Sequence, residues 1–351
     1  MVRSALLVSL LAGALLTGVP AGAGEAVTIE RIDAAFVRLV RTDDTPVTVW
    51  ISEDTALDDA DRKVAETSRA DQFTVGLPAS QRRYLILQDS EGSITVVGER
   101  RFPLEQGSNF RDVGGYLTKD GRSVRWGKAF RSGAMPMLTE ADHAMIAGLD
   151  LDAVVDLRSL EERVLTDDKI DDRTGALFLS NDYSMRTLFE RLREGDGENV
   201  YKGMEKLLAP QLRSLYRRLI ADEGAVVYHC SAGQDRTGVA TALLYDMLGV
   251  DRDTILKDYH LSTQWRQPEW EMPADLDPAD HPDNPLVQYY ASLPEDRRKV
   301  AQPLYTPSGA SHLAQFFAYL DATYGGSEAF MKDELGFTDA ELARLRAVML
   351  D

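Results

Sequence analysis

The chain has 351 residues, 57 of them Asp or Glu against 39 Lys or Arg, for a formal charge of −18. So acidic a surface excludes nucleic acid and anionic membrane as main partners, since both would be repelled. Hydrophobic residues make up 44%, enough for a packed core, and one cysteine excludes any disulfide within the chain, so stability must come from burial.

Residues 1–23 read as a secretory signal. Arg3 supplies the positive start, Ala5 to Leu16 the apolar stretch, and Ala21-Gly22-Ala23 a small-residue cleavage site. That stretch falls short of the roughly twenty residues a spanning helix needs. No later run is longer, so a periplasmic or secreted protein without stable membrane insertion is expected.

Residues 26–104 carry short alternating runs: Val27–Ile32, Ala35–Val40, Pro46–Ile51, Gln72–Leu77, Arg83–Leu87 and Ser93–Val97. Period-two patterning between turn residues predicts a β-sandwich-like accessory domain with a packing or targeting role. The alternative is that these strands extend the sheet of the next domain. The polar interval Asp54 to Ala70 is read as a loop or short helix.

From residue 105 to 351 strands alternate with helices, which predicts an α/β domain with a central, mainly parallel sheet flanked by helices. Thr139 caps a helix running to Gly148. Leu151 to Leu157 is a buried strand, Val200 to Ala221 a helix, Ala225 to Tyr228 a strand, and Thr237 to Leu248 a helix. Thr338-Asp339-Ala340-Glu341 reads as a capping box. Gln264 to Pro307, rich in Pro and Asp, is expected to hold at most one short helix, near Leu286 to Leu293. It reads as a mobile surface loop or as a lid over a pocket.

The only cysteine lies in Val226-Val227-Tyr228-His229-Cys230-Ser231-Ala232-Gly233-Gln234-Asp235-Arg236-Thr237-Gly238. An apolar run ends at Cys230, five residues intervene, Arg236 follows and a helix begins. Backbone N–H groups of such a loop, with the helix N-terminus, converge on an anion. The same field favours a thiolate over a thiol and makes Cys230 a nucleophile. Ser231, Ala232, Gly233, Gln234, Asp235 and Arg236 would then bind phosphate, the planar fork of Arg236 gripping two oxygens. Gly233 and Gly238 are expected to give backbone freedom. The thiol is expected to be open to solvent, with the guanidinium beside it.

This loop, with Asn109-Phe110-Arg111-Asp112-Val113-Gly114-Gly115-Tyr116, Phe130-Arg131-Ser132-Gly133-Ala134 and Val154-Val155-Asp156-Leu157-Arg158-Ser159, resembles the cysteine-dependent protein tyrosine phosphatase superfamily. Within it, the chain resembles the bacterial secreted tyrosine/serine and lipid phosphatases over residues 105–351. The resemblance implies phosphomonoester hydrolysis through a phosphocysteine, on a phosphorylated protein or a small phosphomonoester. Many members carry Lys where this chain has Gln234, a residue associated with phosphoinositides, so lipid substrates are disfavoured.

A general acid must protonate the leaving oxygen. The resembling family uses an Asp at the position of Asp235, which is the first candidate; its alternative is a structural carboxylate. Asp156 is the second, against a salt-bridge role, and Asp182 the third. His229 and Thr237 are expected to support the loop, while Arg111, Asp112 and Arg131 are expected in a network or pocket wall. His143, His281 and His312 lack metal-ligand spacing, so no metal and no cofactor is expected. The competing functions are a phosphoinositide or inositol phosphate phosphatase, a sulfurtransferase, and a non-catalytic phospho-ligand binding protein. Sequence fixes no oligomeric state.

Overall fold

A computed structural model describes residues 27–67, 71–186, 198–273 and 276–351. The expected signal, residues 1–23, lies outside the described residues.

Among the described residues, seven strands precede residue 100: β1 (Val27–Arg31), β2 (Phe36–Arg41), β3 (Val47–Ser52), β4 (Arg62–Thr67), β5 (Gln72–Gly76), β6 (Tyr84–Asp89) and β7 (Ile94–Gly98). They form two antiparallel sheets, β1-β2-β5 and β4-β3-β6-β7. Alternation on β2 and β3 turns Val37, Leu39, Val47, Val49 and Ile51 inward, where they meet Leu85, Leu87 and Val97. Trp126, far along the chain, completes this core. One expectation is corrected: the polar interval 54–70 holds strand β4. Its Arg62, Lys63 and Glu66 sit on the free edge of a sheet, where charge prevents further pairing and hides the strand pattern.

The third sheet has the order β11-β10-β12-β9-β8, from β8 (Arg111–Asp112), β9 (Ala129–Ser132), β10 (Leu151–Asp156), β11 (Leu177–Ser180) and β12 (Ala225–His229). The first four are parallel and β8 is an antiparallel edge. Strand β12 is buried throughout, as expected of a strand covered on both faces. One face packs Leu212, Leu215, Val239, Leu243, Phe316 and Leu345 from four helices; the other packs Phe102, Phe110, Phe130, Ile146 and Ile170. Phe102 stacks near Phe110 and Phe130, at 5.0 and 5.4 Å between ring centres. The chain therefore joins the α/β core slightly before residue 105.

Capping boxes at Thr139, Ser159 and Thr338 start three helices. The helix expected over 200–221 is two pieces, Met204–Leu207 and Ala209–Ala221, because Pro210 suits a helix start and not a helix interior. The segment 264–307 holds more structure than expected: a 3₁₀ turn Pro268–Trp270, the helix Pro285–Ser292 capped by Asn284, and a short helix Glu295–Arg298.

Candidate active site

The loop after β12 ends in the helix Asp235–Leu248. Gly233 has φ +65°, and a Cβ there would lie 2.6 Å from the backbone of Ser132 and Gly133. Only glycine lets the loop press so closely on the end of β9. Gly238 is different from expectation: it is helical, and its missing Cβ makes room for the Tyr259 ring, which would stand 2.9 Å away.

Three consecutive loop carbonyls are tied outward. Ala134 N–H donates to Ser231 O at 2.8 Å, and Asn109 Nδ2 donates to Ala232 O and Gly233 O at 3.2 and 2.9 Å. Arg131 Nη2 adds a bond to Gly233 O at 2.9 Å. In a trans peptide the N–H points opposite to the C=O it is bonded to, so the amides of Ala232, Gly233 and Gln234 face the concave side. That is an anion-binding nest.

Behind the nest, Arg111 and Arg131 both grip the Asp258 carboxylate, and all three are buried. Burial alone would raise Asp258; the two guanidinium groups hold it at about 2. Asp112 faces the other way, accepting from Gly114 N, Gly127 N and Arg82 at 2.8, 2.9 and 2.7 Å. These three expected residues thus lie in a buried network and line no open pocket.

At the front, Arg236 Nη1 and Nη2 donate to the two oxygens of Glu162 at 2.5 and 2.6 Å. Nη1 also donates to Tyr183 Oη at 2.7 Å. A guanidinium has five N–H donors, so among the described residues Nε and one hydrogen of Nη2 stay available for two anion oxygens. Burial would raise the Glu162 carboxyl, but Arg236 overrides it and holds it at about 2. Ser231 Oγ donates to the same carboxylate at 2.6 Å. Glu162 also accepts from Ser159 N–H, so one side chain both caps its helix and aims Arg236.

Cys230 is 1% exposed, so the expectation of an open thiol is corrected. Arg236 and Tyr183 both lie within electrostatic reach of the Cys230 sulfur. The segment 264–307 crosses over this region. Asn284 Nδ2 donates to Glu161 O at 3.0 Å, Arg186 Nη2 to Asp283 O at 2.9 Å, and Leu286 and Val287 are buried. Tyr290 lies near enough to feel Glu162 and Arg236, and burial pushes its phenol up to about 12.

Asp156 does not reach this front. It is fully buried, with both oxygens on Arg158 at 2.8–3.0 Å, a salt bridge and no proton donor to a substrate. Asp168 lies 3.0 Å from Arg158 and 3.4 Å from His229 Nδ1. Asp156, Asp168 and His229 are close enough to hold a metal ion, but the Arg158 guanidinium already stands among the carboxylates as their cation. His229 is wholly buried under the loop. Thr237 Oγ1 is buried with no partner among the described residues. Asp182 is paired with Arg163 at the surface.

Asp235 opens the helix, half-buried, and its Oδ1 accepts from Tyr201 Oη at 2.5 Å. Gln234 is buried, its Oε1 accepting from Arg266 Nη1 at 2.8 Å. Arg266 is itself paired with Glu271 at 2.8 Å. Glu162, Tyr183, Tyr201, Asp258 and Arg266 escaped sequence reasoning. Only Glu162 had a local signal, the Ser159-x-x-Glu162 capping pattern.

A description of the tyrosine phosphatase family matches residues 102–351. A Cupriavidus necator protein named as a tyrosine-protein phosphatase is 28% identical over 275 residues, 75% of this chain and 93% of that one. A Nostoc commune tyrosine-protein phosphatase is 27% identical over 224 residues, 62% and 72% of the two chains. The triple specificity protein phosphatase PtpB of Mycobacterium tuberculosis is 28% identical over 287 residues, 69% and 96%.

Proposed function

The chain belongs to the tyrosine phosphatase family, and on that premise we propose that it hydrolyses phosphotyrosine-type phosphomonoesters through a phosphocysteine at Cys230. The observation that carries this reading is the nest of outward-tied carbonyls, with two unengaged Arg236 donors beside the sulfur. Loop amides and Arg236 hold the three non-bridging oxygens while the Cys230 sulfur forms its bond to phosphorus. As the P–O ester bond breaks, Asp235 gives its proton to the leaving oxygen. Water then attacks phosphorus, Asp235 takes the proton back, and the P–S bond breaks to release phosphate and the thiolate.

Because the sulfur is covered, substrate entry needs the part of segment 264–307 around Asn284 to move, breaking the Asn284–Glu161 and Arg186–Asp283 bonds, while Arg266 and Glu271 stay tied to Gln234 and Ser108. Arg266 lends little net charge while Glu271 neutralises it, so densely anionic inositol phosphates and phosphoinositides are poor substrates. Residues 1–23 direct export to the periplasm or beyond, and residues 26–104 serve as a β-sandwich accessory domain.

The Cys230→Ser variant should bind vanadate but turn over no aryl phosphate; hydrolysis by that variant would remove Cys230 as nucleophile. A panel of aryl phosphates, phosphopeptides and phosphoinositides on the wild-type protein should favour the first two.

A further inference from the structure

We infer that Tyr201, backed by Tyr259, is a positioning residue that fixes which oxygen of Asp235 carries the proton delivered to the leaving group. The inference rests on the proposed role of Asp235 as general acid. Tyr201 and Tyr259 are 2% and 1% exposed, their hydroxyl oxygens are 2.6 Å apart, and Tyr201 Oη lies 2.5 Å from Asp235 Oδ1. Each phenol has one proton to donate.

Among the described residues Tyr259 Oη has no partner but Tyr201. When Asp235 is ionised, the chain must therefore run from Tyr259 to Tyr201 to Oδ1. A proton placed on Oδ1 would reverse that chain and leave the Tyr259 proton buried with no acceptor, an unfavourable state. The proton is accordingly held on Oδ2, which no group among the described residues engages. One oxygen is thus occupied by the protein and the other is left to the substrate.

The packing supports a built arrangement. The rings meet edge-on, at 6.4 Å and 89°. The glycine at position 238 is what lets Tyr259 approach, since any Cβ there would strike its ring. The other charged or titratable groups facing Asp235 are its neighbour Arg236, Arg266 from the end of the helix Arg252–Trp265, and His312 from the helix His312–Tyr324. His312 is pushed down by burial, with Asp235 acting against that shift.

Removing the Tyr201 hydroxyl frees the Asp235 proton to sit on either oxygen, so that its aim is lost. In the full-length protein, Tyr201→Phe should lose about tenfold more kcat on an alkyl phosphate, whose leaving group needs the proton, than on nitrophenyl phosphate. Vanadate binding should be unchanged. Tyr259→Phe should move the ratio of the two rates the same way by a smaller factor, and carries the test if Tyr201→Phe does not fold. An equal loss on both substrates would overturn the inference. If Asp235→Asn leaves the alkyl phosphate rate intact, Asp235 is not the acid and it is that assignment which fails. Absence of wild-type turnover on any phosphomonoester would sink the phosphatase reading itself.

Discussion

Two arginine–carboxylate clusters flank the phosphate loop, and they differ in what they leave available. Behind the loop, Arg111 and Arg131 converge on Asp258, and their other bonds go to Asn109, Ser262 and the carbonyls of Asp258 and Gly233, while Arg131 Nε is buried with no partner among the described residues. In front, Arg236 meets Glu162 in a shorter two-point contact and, among the described residues, keeps two N–H donors unengaged. Both clusters keep a donor that no group among the described residues takes, and the difference is where it lies: the spare Arg131 donor is sealed beneath the loop, while Arg236 is the more exposed of the two, at 7% against 1%. A buried arginine is therefore scaffold or ligand-binder according to whether its spare donors can be reached.

That contrast can be broken from the front first. Arg236→Lys should keep a charge but lose the fork, lowering kcat/KM on aryl phosphate by about 10³-fold with little change in melting temperature. From behind, Asp258→Asn leaves two buried guanidinium groups without their anion. Urea denaturation should report a loss of about 3–5 kcal/mol, far more than Arg236→Lys produces. Equal stability losses in the two variants would erase the distinction.

Acid sharpens the same comparison. Glu162 and Asp258 both have carboxyls held at about 2 in the folded protein, below the 4.5 and 3.8 of unperturbed Glu and Asp. Each contributes stability that is fully present above its unperturbed value and is lost as pH falls toward 2. Unfolding measured from pH 5 to 2 should steepen in that window, and Glu162→Gln should flatten it. The smallest effect is expected at the loop's fourth residue. Gln234→Lys should raise kcat/KM on a phosphoinositide a few-fold relative to aryl phosphate, about what one added partly screened charge supplies.

The strand, loop and helix around Cys230 were legible because their signals are local: an apolar run, small residues, then helical spacing. The same holds for the caps at Thr139 and Thr338, whereas the equally local Ser159 box went unread. Strand β4 was hidden because an edge strand needs charge where a pattern search wants alternation. Asp156 read as a site residue because a strand end points toward the catalytic edge of such a sheet, yet Arg158, two residues on, captures it. Tyr201, Asp258 and Arg266 were invisible for a different reason. Their partners lie 34, 127 to 147 and 32 residues away, and no local spacing encodes a pairing that only the tertiary fold creates.

Asp112 has a consequence for anyone who would cut this molecule apart. Neighbouring residues face opposite ways here: Arg111 joins the network beneath the loop, while Asp112 receives Arg82 from the preceding β-rich part. Trp126 crosses the same seam in the reverse direction, into a core that is not its own. Burial already pushes the Asp112 carboxyl up against the pull of Arg82. A fragment beginning at Phe102 would strip that carboxylate of its counter-charge and bare an indole, one residue from the arginine that steadies the loop. The two halves fold as joinery, and a shortened enzyme would be weakened at its hinge pin before it was weakened at its surface.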